Sequence, residues 1–417
     1  MNKNENENEK TALVPRLRFP EYVVNGAIDF ETGDAIFEPI SNKNHNSDLP
    51  VLAITQEHGA IPRDQIDYNV SVTDKSLESY KVVEIGDFII SLRSFQGGIE
   101  YSLYHGICSP AYIILRKRFS IVEQYYKHYF KTCKFIQDLN KNLEGIRDGK
   151  MVSYSQFSAI MLPKPDNKEQ QKIADCLSSL DDLIAAEDKK LEALKAHKKG
   201  LMQKLFPAEG ETVPEWRFPE FSGSEEWEEK PLSKIGDIIT GNTPSTADVD
   251  NYGGNRRFVS PADMSELKYV VETKTKLTEK GFSVSRKIPS NSVMFVCIGS
   301  TIGKVAQNKY ECATNQQINS VVPFEDYISD FIYYVLDLNS SKISKLAGKQ
   351  AVPIVNKSLF SSVVVSIPEY NEQHKIADCL SSIDGLITEQ AKKVEVLKTH
   401  KKGLMQGLFP SVEEVGE

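Results

Sequence analysis

The 417-residue chain has no C-x-x-C pair, no apolar run long enough to span a bilayer and no excess of positive charge. Each absence narrows the field. Its six cysteines (Cys108, Cys133, Cys176, Cys297, Cys312 and Cys379) are scattered, which fits reduced thiols in a cytosolic protein better than a disulfide framework. The first ten residues, MNKNENENEK, lack the apolar core of a secretory signal and read as a solvated tail, so a cytoplasmic protein without membrane contact is expected. The 50 Lys and Arg against 58 Asp and Glu give a net charge of −8, so the chain as a whole is not a basic nucleic-acid binder and any such footprint must be local. Acid gathers at 209–215, 225–229 and 413–417, whereas residues 116–150 hold nine basic side chains against four acidic ones.

Catalytic motifs are also missing. The run Gly299, Ser300, Thr301, Ile302, Gly303, Lys304 imitates a phosphate loop, but it is one residue short between its glycines and has Val305 where a hydroxyl belongs. Asp166 with Glu187, Asp188 and Lys189 imitates a nuclease metal set. Those residues fall at a helix start and on a helical face, where an N-cap and solvated charge explain them. His105 and Cys108 are a close ligand-type pair with nothing at metal spacing to join them, so no metal is expected.

What is present is a tandem duplication. Residues 172–207 align with 375–410 over 36 positions, of which 26 are identical. A shorter echo precedes each large segment: VPRLRFPEY from Val14 and VPEWRFPEF from Val213. The order is short motif, globular segment, helix, then the same again. The globular segments share only an outline. Each has a strand-like run opening into a Gly-rich loop, from Gly86 and from Asn291, then an aromatic helix around Tyr126, Tyr129 and Phe130 or around Phe331, Tyr334 and Leu338. Core packing is the expected role of those aromatic stripes. Helices held nearly constant between divergent segments suggest identical partners on the helices and different targets on the segments.

The helices carry a 3.5-residue period. In the first repeat the seam runs Ile173, Leu177, Leu180, Ile184, Glu187, Leu191, Leu194, Lys198, Leu201, Leu205. In the second it runs Ile376, Leu380, Ile383, Ile387, Gln390, Val394, Leu397, Lys401, Leu404, Leu408. Asp166 and Glu169 predict a capping box, and Pro207 and Pro410 predict the stops. Parallel pairing in register would set Lys198 against Lys401, two ammonium groups in a partly dry seam. Antiparallel pairing lets Glu187 face Lys401 and Lys198 face Gln390, with Leu205 meeting Ile383, and is the expected arrangement. A 36-residue helix is about 54 Å long, roughly one and a half turns of B-DNA at about 34 Å per turn.

This pattern resembles the specificity subunits of Type I restriction-modification systems. The resemblance rests on E-Q-x-K-I-A at 169–174 and 372–377, on H-K-K-G-L-M-Q-x-L-F-P at 197–207 and 400–410, and on WEEKPLSKIGDIITGNTP at 227–244. It covers nearly the whole chain outside the tails, although the first segment lacks a clear counterpart of 227–244. It implies an α+β chain: two globular α/β target-recognition domains, each reading one half of a bipartite double-stranded DNA site, separated by two long helices in an antiparallel coiled coil with a pseudo-twofold duplication. It also implies a non-catalytic subunit whose helices set the unread spacer and dock two methyltransferase subunits, with restriction/translocase subunits joined through that methyltransferase core. S-adenosylmethionine, ATP and Mg would belong to those partners, with no cofactor in this chain. No Gly-rich cofactor loop with an Asn-Pro-Pro-aromatic partner, as adenine methyltransferases carry, is present. The expected divisions are a disordered tail (1–13), a first recognition domain (14–164), a first helix and linker (165–212), a second recognition domain (213–367), a second helix (368–410) and a tail (411–417).

Base reading needs paired donors and acceptors, chiefly Arg or Lys to guanine and Asn or Gln to adenine. The candidates in the first segment are Arg93, Ser94, Gln96, Arg147 and Lys150. In the second they are Ser300, Thr301, Lys304, Asn315, Gln316, Gln317, Lys349 and Gln350. Each competes with a plain solvated-loop role. The rival for the whole chain is a coiled-coil scaffold that binds proteins without DNA specificity. A self-sufficient methyltransferase or nuclease is disfavoured by the missing sites.

Overall fold

The computed structural model describes residues 14–46, 48–66, 77–141, 152–348 and 352–410. The two expected tails lie outside the described residues. The chain forms two compact units that do not follow its order: one joins residues up to 186 with those from 394 on, and the other is 187–393. Two long helices, Asn167–Leu205 and Tyr370–Leu408, each contribute to both units.

In unit 1 the central sheet has four antiparallel strands in the order Phe37–Ile40, Ile113–Lys117, Phe88–Ile90, Glu100–Tyr101. In unit 2 the corresponding strands are Gly236–Thr240, Ile318–Pro323, Val293–Val296 and Val305–Asn308, with Tyr269–Val270 added in parallel at the edge. A second four-stranded sheet, built around Tyr252–Val259 and Cys312–Thr314, completes unit 2. Each unit also has a two-stranded clasp from its beginning to its end: Phe30–Thr32 with Met161–Pro163, and Glu228–Pro231 with Val364–Ile367. The first domain therefore does possess the clasp and sheet strand supplied in the second by 228–240, in residues 30–40 that share its topology but not its sequence.

The aromatic stripes are core. In unit 1 Phe37, Phe88, Tyr126, Phe130, Phe135 and Phe157 are fully buried, with the Phe130 and Phe135 ring centroids 4.6 Å apart. In unit 2 Phe331 stacks on Phe206 at 5.4 Å and meets Trp227 at 5.7 Å. Phe409 takes the part of Phe206 in unit 1, against Tyr125 and Tyr129 at 5.1 and 5.5 Å. The L-F-P stop of each long helix thus plugs a domain core. Leu338 departs from its stripe and is 37% exposed.

Both helices end two residues before their prolines, as a residue lacking a backbone N–H and disfavouring helix before it requires. The capping box is half present. Asp166 accepts the Lys168 and Glu169 amides at 2.9 and 3.0 Å, but the Glu169 side chain turns away to Arg18.

Helix pairing is antiparallel within each unit, in a register different from the expected one. In unit 2 Glu187 accepts from Gln390 at 2.7 Å and pairs with Lys393, and Lys198 meets Asp384 at 2.7 Å. In unit 1 Lys401 pairs with Asp181. The expected partnerships of Glu187 with Lys401 and of Lys198 with Gln390 are replaced, and Leu205 clusters with Ile376, Ala377 and Leu380 rather than opposite Ile383. The difference is about one heptad. Apolar layers match in either register, so the flanking aspartates decide: Asp181 and Asp384 give both seam lysines a carboxylate, whereas the expected register would leave Lys198 against Gln390 alone.

Candidate nucleic-acid interface

In unit 2 four loop segments converge beside the central sheet. The turn between Val293–Val296 and Val305–Asn308 has Gly299 and Gly303 at φ of 97° and 98°, a backbone region that favours glycine. Gln317 Nε2 donates to the Ile298 carbonyl at 3.3 Å, and Asn315 Nδ2 donates to Gln317 Oε1 at 2.9 Å. Thr243 donates to Gln316 Oε1 at 2.6 Å, and the Gly299 amide donates to the Pro353 carbonyl at 3.1 Å. Gly241 packs so closely on Asn315 that an added Cβ would lie 2.3 Å from its carbonyl oxygen.

Ser300 and Gln316 are exposed there, and Thr301, Asn315 and Gln317 are half-buried. Lys304 is exposed but belongs to a different face of the turn, where its ammonium donates to the Met264 carbonyl at 3.1 Å. Sequence reasoning missed Asn242, Thr243 and Arg286. Asn242 accepts the Arg286 amide at 2.7 Å, and the exposed Arg286 guanidinium donates to the Thr240 carbonyl at 2.8 Å. Asn242 and Thr243 lie in the TGNTP string at 240–244, part of the run that carries the resemblance.

In unit 1 Arg93 and Gln96 are exposed on the turn that follows Phe88–Ile90. Ser94 is not available: it is buried, and its hydroxyl accepts the Ser91 amide at 2.9 Å, holding the turn. The hairpin Leu52–Thr55 with Gly59–Pro62 brings Gln56 beside this turn, donating to the Arg93 carbonyl at 3.0 Å. Gln56 and the exposed His58 were not foreseen. Arg147, Lys150, Lys349 and Gln350 lie outside the described residues. Both loop sets present side chains with paired donors and acceptors, the equipment for base edges in a groove. Among the described residues no group of three or more His, Cys, Asp or Glu could hold a metal, and no helix is long and apolar enough to cross a membrane.

The repeated motifs lock each domain to its long helix. Arg18 donates to both oxygens of Glu169 at 2.7 Å, and Arg217 grips Glu372 at 2.9 and 2.7 Å. Both glutamates are 1% exposed. The next residue acts alike in both units: Gln170 accepts the Val122 amide and donates to the Pro165 carbonyl, and Gln373 does the same with Ile328 and Pro368. Two turns further along each long helix the units diverge. His128 lies 3.2 Å from the Ser178 hydroxyl, and burial, aided by Lys401 and Lys127 and opposed by Asp181, pushes its pKa down to about 4. In its place Tyr334 donates to Asp384 at 2.6 Å and sits 3.2 Å from Ser381. Lys268, buried beside it, bonds Asp330 and Ser381 at 2.9 Å; burial lowers its pKa against the pull of Asp330.

Of the seam residues, Ile184, Ile387, Gln390 and Val394 are buried, and Leu191, Leu194, Lys198, Leu201, Leu397, Lys401 and Leu404 are half-buried.

Two units built on one scaffold, each with its own polar loops and both fastened to the same pair of helices, define a protein with two recognition modules. The family model of the Type I restriction modification DNA specificity domain matches twice, at residues 28–196 and 224–398. The chain belongs to this family. It is 24% identical over 412 residues to the putative type I restriction enzyme MjaX specificity subunit of Methanocaldococcus jannaschii, covering 93% of this chain and 90% of that one. It is 33% identical over 149 residues to the HindI specificity subunit of Haemophilus influenzae, covering 34% and 32%. Its fold is similar to the crystal structure of the S subunit from M. genitalium, with a TM-score of 0.59 at 14% identity, over 96% and 100% of the two chains. At that identity the likeness speaks to fold alone.

Proposed function

We propose that this chain is the non-catalytic specificity subunit of a Type I restriction-modification complex, binding duplex DNA through its two loop sets, one for each half of a split site. The reading rests most on one observation: the same scaffold occurs twice with nearly identical helices and different recognition loops. Asn242, Thr243, Asn315, Gln316 and Arg286 are the reading groups in unit 2, and Gln56, Arg93 and Gln96 in unit 1. Two methyltransferase subunits dock on the long helices, and restriction subunits join through them. S-adenosylmethionine, ATP and Mg are used by those partners, and the complex works in the cytoplasm.

The test is a salt titration of duplex binding by this chain together with its methyltransferase partner. Affinity should fall linearly on logarithmic axes, because neutralised phosphates release counterions. Binding that ignores salt and sequence would support the scaffold reading instead.

A further inference from the structure

The polar loops of both units carry aliphatic side chains that their cores do not use. In unit 2 residues 352–355 run beside the turn that holds Gly299. The Gly299 amide donates to the Pro353 carbonyl at 3.1 Å, the Val355 amide donates to the Cys297 carbonyl at 2.9 Å, and Ile298 and Ile354 form an isolated antiparallel bridge. Val352 and Ile354 alternate with the half-buried Pro353 and the buried Val355, and this alternation leaves them 53% and 42% exposed. In unit 1 the turn after the corresponding strand, Phe88–Ile90, sets Leu92 out at 53% exposure between the buried Ser91 and the exposed Arg93.

Exposed aliphatic residues scattered over a surface need no explanation. These are not scattered: each stands among the side chains with paired donors and acceptors. Ser300 is exposed on the same turn as the Ile298 bridge, and the Gln317 amide donates to the Ile298 carbonyl at 3.3 Å. Leu92 shares its turn with the exposed Gln96, and Gln56 donates to the carbonyl of its neighbour Arg93 at 3.0 Å. A loop that met only water and phosphate would gain nothing from such groups, because an aliphatic side chain neither donates nor accepts and is disfavoured in water. The major-groove edge of duplex DNA does offer it a partner. There the C5-methyl of thymine is an apolar group, which an amide or a guanidinium cannot read by hydrogen bonding and which aliphatic carbon reads by contact.

We infer that each unit reads a thymine methyl group in its half-site, through Val352 and Ile354 in unit 2 and through Leu92 in unit 1. The inference rests on the function proposed above and names one group that each loop set recognises. An amide beside an aliphatic side chain suits an A·T pair, the amide addressing adenine and the aliphatic group the methyl of the paired thymine. The two units reach this combination differently: unit 1 builds it on a single turn, and unit 2 on a turn and a bridged segment some fifty residues further along the chain.

The experiment uses the full chain in complex with its methyltransferase partner, and the cognate duplex found by mapping methylated bases. Each thymine of the site is replaced in turn by uracil, which removes the methyl group and leaves every hydrogen-bonding atom in place. Wild type should lose roughly fourfold in affinity at one position in each half-site, the factor for burying one methyl group. Val352→Ser with Ile354→Ser should abolish that loss in one half-site, and Leu92→Ser should abolish it in the other, each leaving the untouched half as sensitive as before. Ile354→Leu should keep the sensitivity. All three positions are exposed, so an unchanged thermal transition verifies the fold of each variant. Uracil duplexes bound as tightly as the thymine duplex would overturn the inference, as would serine variants that keep the wild-type loss or a half-site without an A·T pair. Brightening of 2-aminopurine placed next to the sensitive thymine would overturn it too, because it would mark these side chains as wedges between bases. Failure of the wild-type complex to prefer its site over unrelated duplex would sink the underlying functional reading instead.

Discussion

Units 1 and 2 agree where a domain meets the start of its long helix and disagree where a loop meets solvent. Arg18 and Arg217 make the same bidentate grip, and Gln170 and Gln373 clamp the same two backbone groups. By contrast the Arg93 turn of unit 1 leans on Gln56 from a hairpin, while the Gly299 turn of unit 2 is braced by Gln317 and Pro353. The difference separates two demands on one scaffold. Each joint ties a buried glutamate and glutamine of the long helix to fixed groups of the domain, which leaves little freedom to vary. The braces are side chains set against loop backbone groups, as Gln56 is on the Arg93 carbonyl and Gln317 on the Ile298 carbonyl, so the loop path is held while exposed side chains such as Gln96 and Ser300 can differ without loss of the fold.

The largest effect should come from breaking a joint. Arg217→Ala leaves the Glu372 carboxylate buried and unpaired, and Arg18→Ala does the same to Glu169, so each should cost about 3–5 kcal/mol in denaturant unfolding. Similar losses in both units would support a shared joint, and a small loss in one would break the equivalence.

The next prediction uses a joint that differs. His128 has a folded pKa of about 4 against an unfolded value of about 6.5, so the folded state resists protonation. Its contribution is present above pH 6.5 and is lost as pH falls toward 4, to a limit of about 3 kcal/mol. Tyr334 holds this place in unit 2 and carries no such titration in that range. Melting curves across this window should show His128→Tyr flattening the acid-side loss; an unaltered pH profile would mean the drop comes from other groups.

Removing one base-edge group should cost less. Gln316→Ala, or Asn242→Ala, should weaken binding to the cognate duplex by about 1–3 kcal/mol and relax discrimination at one position in a single half-site. Competition with single-base variants of the duplex reads this; uniform weakening across all sequences would make these groups phosphate contacts. The smallest effect is a gain. Gly200→Ala and Gly403→Ala should each stabilise the isolated chain by about 1 kcal/mol, by thermal or chemical unfolding, since neither Cβ meets a neighbour.

Much of this was legible in the sequence because repetition is itself a signal: the duplication, the 3.5-residue seam and the proline stops need no tertiary information. The register was not, because sliding the seam of Ile184 and Leu201 by a heptad rebuilds every apolar layer. Asp181 and Asp384, beside the seam rather than in it, choose the answer. The clasp of unit 1 is not legible in the sequence because residues 30–40 repeat the topology of 228–240 through backbone pairing alone. Ser94 misled because a serine in a Gly-rich turn has the same appearance whether it faces a ligand or caps its own backbone, and here it does the latter. Thr243 and Gln56 reach their sites only through tertiary contacts with Gln316 and Arg93, which no local window contains.

The central claim is that each unit reads one half-site independently of the other. Its most direct test is to exchange residues 222–367 for the corresponding segment of another family member and map methylated bases genome-wide in cells that carry the chimera and the methyltransferase partner. The account predicts a split site in which one half is unchanged and the other is new; a continuous site, or a change in both halves, would contradict it.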